Sequence, residues 1–87
     1  MARKARKWTS LDQELVNILI DQKESIGKTY RQLEAETGVS NTRLFQILTE
    51  IGGPPTFSEF VKISYALELQ PNRVLDKVLE NWPTGVD

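Results

Sequence analysis

The sequence predicts an all-α fold, a compact five-helix domain behind a short basic N-terminal arm. Three observations predict it. A hydroxyl residue is followed three positions later by Gln or Glu at Ser10/Gln13, Thr29/Gln32 and Thr56/Glu59. At that spacing each side chain satisfies a backbone N–H that the start of a helix leaves without a partner. Apolar residues then recur three and four positions apart, which gathers them on one helical face. No segment alternates apolar and polar residues as a half-buried strand would.

The first helix starts near Thr9 or Ser10, with Ser10 paired to Gln13, and buries Leu11, Leu15, Ile18 and Leu19. It stops near Ser25–Gly27, where glycine can take the left-handed conformation that closes a helix. The second opens at Thr29, runs through Tyr30, Leu33 and Thr37, and ends at Gly38. A helix of about eight residues is marginal alone, so tertiary packing must hold it. Ser40 caps the third helix, which covers residues 41–50, and Val39 and Leu44 have the spacing of a hydrophobic staple. At about 100° per residue, Leu44, Ile47, Leu48 and Ile51 share one side of this helix. Thr42, Gln46 and Thr49 lie opposite, Arg43 and Phe45 flank them, and Asn41 sits at the tip. Gly52-Gly53-Pro54-Pro55 breaks the chain before a fourth helix that buries Phe60, Ile63, Ala66 and Leu67. Pro71 suits the first turn of a fifth, with an apolar stripe of Val74, Leu75, Val78 and Leu79 and an end at Trp82-Pro83.

Composition narrows the chemistry. Eighty-seven residues, 39% hydrophobic and 26% charged, suffice for one core. The organisation is an arm over 1–8, a domain over 9–82 and a tail over 83–87. The absence of Cys and His removes disulfides, thiolates, the commonest general base and the commonest metal ligand. No carboxylate, Lys, Ser or Tyr spacing suggests a catalytic site, so neither an enzyme nor a cofactor or metal is expected. No apolar run approaches a membrane span, and the basic N-terminus lacks the apolar region of a secretory signal. The expected compartment is the cytosol, on the nucleoid when DNA is bound. No membrane partner and no small-molecule ligand are expected.

The net charge of −1 hides an asymmetry. Arg3, Lys4, Arg6 and Lys7 give the first eight residues +4, while the remaining seven bases and twelve acids give −5. An arm of this kind is either a nucleic-acid contact or a solvated tail.

The stretch TYRQLEAETGVSNTRLFQIL, a helix, a glycine turn and a second helix at about residues 29–50, resembles the helix-turn-helix of the lambda-repressor-like family, the Cro and XRE-type regulators of phages and bacteria. The likeness extends over roughly residues 10–80, through the fourth helix and the phrase Leu67-Glu68-Leu69-Gln70-Pro71. It implies a sequence-specific regulator of transcription, of the small phage-repressor type, whose partner is a double-stranded DNA operator. In that family the helix after the turn enters the major groove with its N-terminal residues at the base edges. Carried over, the base-reading candidates are Asn41, Thr42 and Gln46, with Arg43 at a base or a phosphate. Asn and Gln match adenine N6 and N7, Arg matches guanine O6 and N7, and Thr contacts several bases. Phe45 either meets a thymine methyl or folds back against the second helix or the arm.

The resemblance places backbone contacts at Lys28, Thr29, Tyr30 and Arg31, where helix-start N–H groups face a phosphate. Thr29 has an equally good reading as a pure cap. Thr49 and the arm residues Arg3, Lys4, Arg6 and Lys7 complete the backbone set. Homodimerisation would bring two reading helices to a two-fold operator. Its expected surface is Val74, Val78, Leu79 and Trp82, unless that stripe closes the monomer core instead. The family usually has a small residue where this chain has Glu34, so either the second and third helices sit further apart or Glu34 snorkels and pairs with a nearby base such as Arg43. The loop after the third helix carries no base, so affinity should lean on the arm. The alternative is an antitoxin or adaptor that uses the same fold to bind protein.

Overall fold

Thr9, rather than Ser10, opens the first helix. In the computed structural model, which describes residues 7–81, the Thr9 hydroxyl accepts from the Asp12 N–H at 3.1 Å while the Asp12 carboxylate accepts from the Thr9 N–H at 3.0 Å. Asp12 can also interact with the positive end of the helix dipole, an advantage Gln13 lacks. Helix α1 then spans Ser10–Ile26, α2 Tyr30–Thr37, α3 Asn41–Leu48, α4 Phe57–Ala66 and α5 Pro71–Asn81. There is no strand among the described residues. Thr29/Gln32 and Thr56/Glu59 form the expected reciprocal caps.

One core joins all five helices. Val16 and Leu19 of α1, Leu33 of α2, Leu44, Ile47 and Leu48 of α3, Phe60 and Ile63 of α4, and Val74 of α5 are buried together. Burial of an aliphatic side chain stabilises by about 1.5–3 kcal/mol, which compensates for the short lengths of α2 and α3. The buried stripe of α1 is centred on Val16 and Leu19, with Leu11, Leu15 and Ile18 half-buried beside it. Ile51 departs from expectation: α3 ends at Leu48, so Ile51 falls outside the helical phase and is 55% exposed.

The helix ends are closed by two different devices. Gly27 and Gly38 close α1 and α2 in the left-handed region. Glu50 and Glu68 do the same after α3 and α4, at φ 61° and 63°. After α4 the Leu69 N–H donates to the Ser64 carbonyl and the Glu68 N–H to the Tyr65 carbonyl, the paired bonds of a Schellman motif. After α3 the Ile51 and Glu50 N–H groups bond the Gln46 and Ile47 carbonyls in the same pattern. The last carbonyls of α4 receive further donors from elsewhere: Lys28 Nζ reaches Ala66 O at 2.6 Å and Gln22 Nε2 reaches Leu67 O at 2.9 Å.

Packing of α5 on α1 and α4 corrects the expected dimer surface. Val74 and Val78 are 3% and 1% exposed, so they close the monomer core and no second copy can reach them. Only Leu79, with its neighbour Leu75, remains available on this helix; Trp82 lies outside the described residues. No helix among the described residues is long and apolar enough to cross a membrane.

Two stability changes follow from this geometry. Glu68→Gly should raise the unfolding free energy by about 1 kcal/mol, because glycine adopts the left-handed conformation without the Cβ clash. Ser64 is fully buried and its hydroxyl has no hydrogen-bond partner among the described residues. Ser64→Ala should therefore be neutral or stabilising by up to about 1 kcal/mol. Urea denaturation measures both, and a clear loss of stability in either variant contradicts the assignment.

Candidate nucleic-acid interface

Helix α3 is held by one side and open on the other. Its inner face is fully apolar, with Leu44 and Ile47 at 0% exposure. Val39, just before the Ser40 cap, packs into the same cluster. The Ser40 hydroxyl accepts from the Arg43 N–H at 3.1 Å. Glu34 supplies a second cap, since its carboxylate accepts from the Asn41 N–H at 3.2 Å. That contact answers the question raised by a carboxylate at this position of α2. Glu34 is exposed and turns to the start of α3 rather than pairing with Arg43.

Arg43 has a different partner. Its Nε and Nη2 donate to the two carboxylate oxygens of Glu59 at 2.9 and 2.8 Å, while Nη1 and Nη2 donate to the carbonyls of Gly53 and Pro54 at 3.0 and 2.9 Å. Glu59 also accepts from the Thr56 N–H at 2.9 Å, so one carboxylate caps α4 and receives the guanidinium fork. This arrangement ties α3, the loop and α4 together. It also engages Arg43 within the protein, where four of its N–H bonds are already directed. The hydrogen bonds from Arg43 hold the Glu59 carboxyl below its ordinary value of 4.5, against the opposing effect of burial. The same pair raises the Arg43 pKa further.

Asn41 and Thr42 are exposed and Gln46 is half-buried. None of the three side chains is hydrogen-bonded within the described residues. Phe45 is folded back against the second helix, its ring meeting Tyr30 edge to face with centroids 5.8 Å apart, while the residue stays 47% exposed. Tyr30 in turn carries Lys23 Nζ 4.4 Å from its ring centroid, a cation–π contact. Thr49 is exposed at the end of the edge, its hydroxyl donating to the Phe45 carbonyl at 2.6 Å.

Of the expected backbone set, Arg31 and Lys7 are exposed. The Thr29 side chain is engaged in its capping box. Lys28 is occupied by Glu36 and the Ala66 carbonyl, so its charge is satisfied at the α2–α4 junction. Arg3, Lys4 and Arg6 lie outside the described residues.

Three residues have contacts at this site that the sequence reading did not give them. Glu59 and Lys23 had no local signal pointing to a partner on another helix. Trp8 had a weak one, as an aromatic residue between the basic arm and the first cap. Its Nε1 donates to the Gly52 carbonyl at 2.6 Å, across 44 positions of sequence.

No protein-family model matches the chain, and no curated protein or solved structure shows a significant match to it.

The Arg43–Glu59 fork sets a pH dependence. The side chains are 24% and 20% exposed, so solvent screens part of the interaction. Glu59→Gln should cost about 1–2 kcal/mol near neutral pH. Because the folded-state pKa of Glu59 is depressed, its stabilisation is complete above 4.5 and is lost as pH falls through the folded value. The stability gap between wild type and Glu59→Gln should therefore narrow below pH 4.5 in urea titrations. A gap that stays constant or widens on acidification contradicts the pairing.

Proposed function

We infer that this protein is a sequence-specific double-stranded DNA-binding regulator with a lambda-repressor-like helix-turn-helix, of the small phage-repressor type. Helix α3 reads the major groove. The observation that carries this reading is the division of α3 into a body-facing side and an outer edge. Leu44, Ile47, Leu48 and Arg43 commit the first to the protein. Asn41, Thr42 and Gln46 offer unengaged amide and hydroxyl groups on the second. Such groups suit base edges, where Asn and Gln pair with adenine and Thr contacts bases directly.

The chemistry of the edge has a further consequence. With Arg43 paired internally, no free guanidinium stands among Asn41, Thr42, Phe45 and Gln46. The edge therefore favours adenine and thymine over guanine, with Phe45 available to a thymine methyl. Arg31, Lys23 and the basic arm supply cations for the phosphates, and the first turn of α2 is set against the strand. The body is acidic, so the arm provides most of the electrostatic attraction.

A protein-binding role as antitoxin or adaptor has one observation in its favour. Phe57 and Tyr65 are 76% and 66% exposed on α4, at positions that bracket half-buried Val61 along the helix. Homodimerisation through α5 would use Leu75 and Leu79, since Val74 and Val78 serve the monomer.

The test is binding to duplexes tiled across the DNA upstream of the coding sequence, over a range of salt. A preferred duplex is expected, with log affinity falling against log salt by about 0.9 per phosphate contacted. Asn41→Ala and Gln46→Ala should each cost about 1–3 kcal/mol on that duplex and little on others. Deletion of residues 1–7 should weaken all duplexes alike and flatten the salt slope. No preference among duplexes at low salt overturns the regulator reading.

A further inference from the structure

A groove of about 380 Å³ lies between α1 and α5, within the range of about 300–1,000 Å³ usual for small-molecule sites. Its apolar lining is Ile18 of α1, Leu69 of the turn after α4 and Val74 of α5. Val74 is buried, while Ile18 and Leu69 are half-buried and keep apolar surface to offer. Both walls are held in place. The Leu69 N–H donates to the Ser64 carbonyl at 2.8 Å, and the Gln22 amide ties α1 to the same turn through the Leu67 carbonyl at 2.9 Å. The rim carries three charges: Asp21 on the α1 wall, and Arg73 and Lys77 one turn apart on the α5 wall. All three are exposed, and no ion pair or side-chain hydrogen bond engages them among the described residues. Asp76 and Glu80 lie beside the two cations on α5 and form no ion pair with them. A groove of comparable volume beside α4 differs on this point, because its Lys28 and Glu36 already neutralise each other.

We propose that this groove binds a small zwitterion with an apolar body, of the class of the apolar α-amino acids. The ligand's carboxylate lies between the Arg73 guanidinium and the Lys77 ammonium, its ammonium faces Asp21, and its side chain covers Ile18 and Leu69. The charges of the rim select this class. A simple organic anion satisfies the two cations but sets its own charge against Asp21. A simple cation meets Asp21 and is repelled by two like charges. A molecule with both charges satisfies all three side chains, and charge-assisted hydrogen bonds then fix its orientation. Its apolar side chain adds affinity by removing Ile18 and Leu69 from water. The sequence predicts no small-molecule ligand, because the two walls come from opposite ends of the domain and meet only in the fold. None of these residues belongs to α2 or α3, so the proposal is independent of the DNA-binding reading.

The test is an NMR titration of the full chain, without DNA, by L-leucine, L-isoleucine and L-phenylalanine, with glycine as the control that lacks a side chain. At least one of the three should shift the methyl signals of Ile18, Leu69 and Val74 and the Arg73 Nε signal along a saturable curve. Glycine should bind more weakly by about tenfold or more. Arg73→Gln and Asp21→Asn should each weaken the best ligand by about three- to tenfold. Both side chains are exposed, so folding should be retained; urea denaturation checks it, and Lys77→Gln serves as a second variant on the α5 wall. Ligand derivatives separate the two walls. The N-acetyl derivative has no ammonium and should bind wild type more weakly, with no further loss in Asp21→Asn. The amide derivative has no carboxylate and should be indifferent to Arg73→Gln. Absence of saturable shifts with all three amino acids overturns the proposal. So does an N-acetyl derivative that binds as tightly as its parent, or an affinity that both rim substitutions leave unchanged.

Discussion

The Arg43–Glu59 fork is the interaction on which the geometry of the candidate interface depends. A planar guanidinium meets a carboxylate through two parallel hydrogen bonds, and two further N–H donors hold the Gly53 and Pro54 carbonyls. Bidentate pairs of this kind fix direction as well as distance. The consequence is that α3, the loop after it and the first turn of α4 are oriented together. Apolar packing alone, through Leu44 and Ile47, leaves rotation about the helix axis less defined. The fork removes that freedom on the flank of the helix next to its outer edge.

The same fork explains the chemical character of that edge. A helix with one arginine that spends it internally presents amides, a hydroxyl and an aromatic ring, but no strong cation. On the proposed DNA-binding reading this separates two tasks that arginine often performs together: attraction to phosphate would belong to Arg31, Lys23 and the arm, and discrimination to Asn41, Thr42 and Gln46. Glu34 fits the same division, because its carboxylate caps α3 through the Asn41 N–H and so stays engaged with the backbone.

Local features of the fold were legible in the sequence, and contacts distant in sequence were not. The caps at Thr29, Ser40 and Thr56, the glycine stops at 27 and 38 and the buried faces of α3 and α4 follow from residues within one or two turns. The exceptions have physical causes. Asp12, not Gln13, is the reciprocal cap partner, and the cap is Thr9, one of the two starts read from the sequence. Two glutamates took left-handed positions usually given to glycine, which hid the ends of α3 and α4 and misplaced Ile51. Within the site, exposure of Asn41, Thr42 and Phe45 followed from helical phase. The fates of Arg43, Lys28 and Trp8 depended on partners 16, 38 and 44 positions away, and no local pattern encodes such pairs. Val74 and Val78 illustrate the remaining ambiguity, because an apolar stripe reads the same whether it meets its own core or a second copy.

The most direct test of the account is a chemical-shift map. Isotope-labelled protein would be titrated with its preferred duplex, taken from the upstream DNA, while backbone and side-chain amide signals are followed. The account predicts shifts concentrated at Asn41, Thr42, Phe45 and Gln46, at Arg31 and at the Trp8 indole, with the Arg43 guanidinium signal largely unmoved. Shifts confined to Phe57, Val61 and Tyr65, or an Arg43 signal that moves as strongly as Gln46, would contradict it.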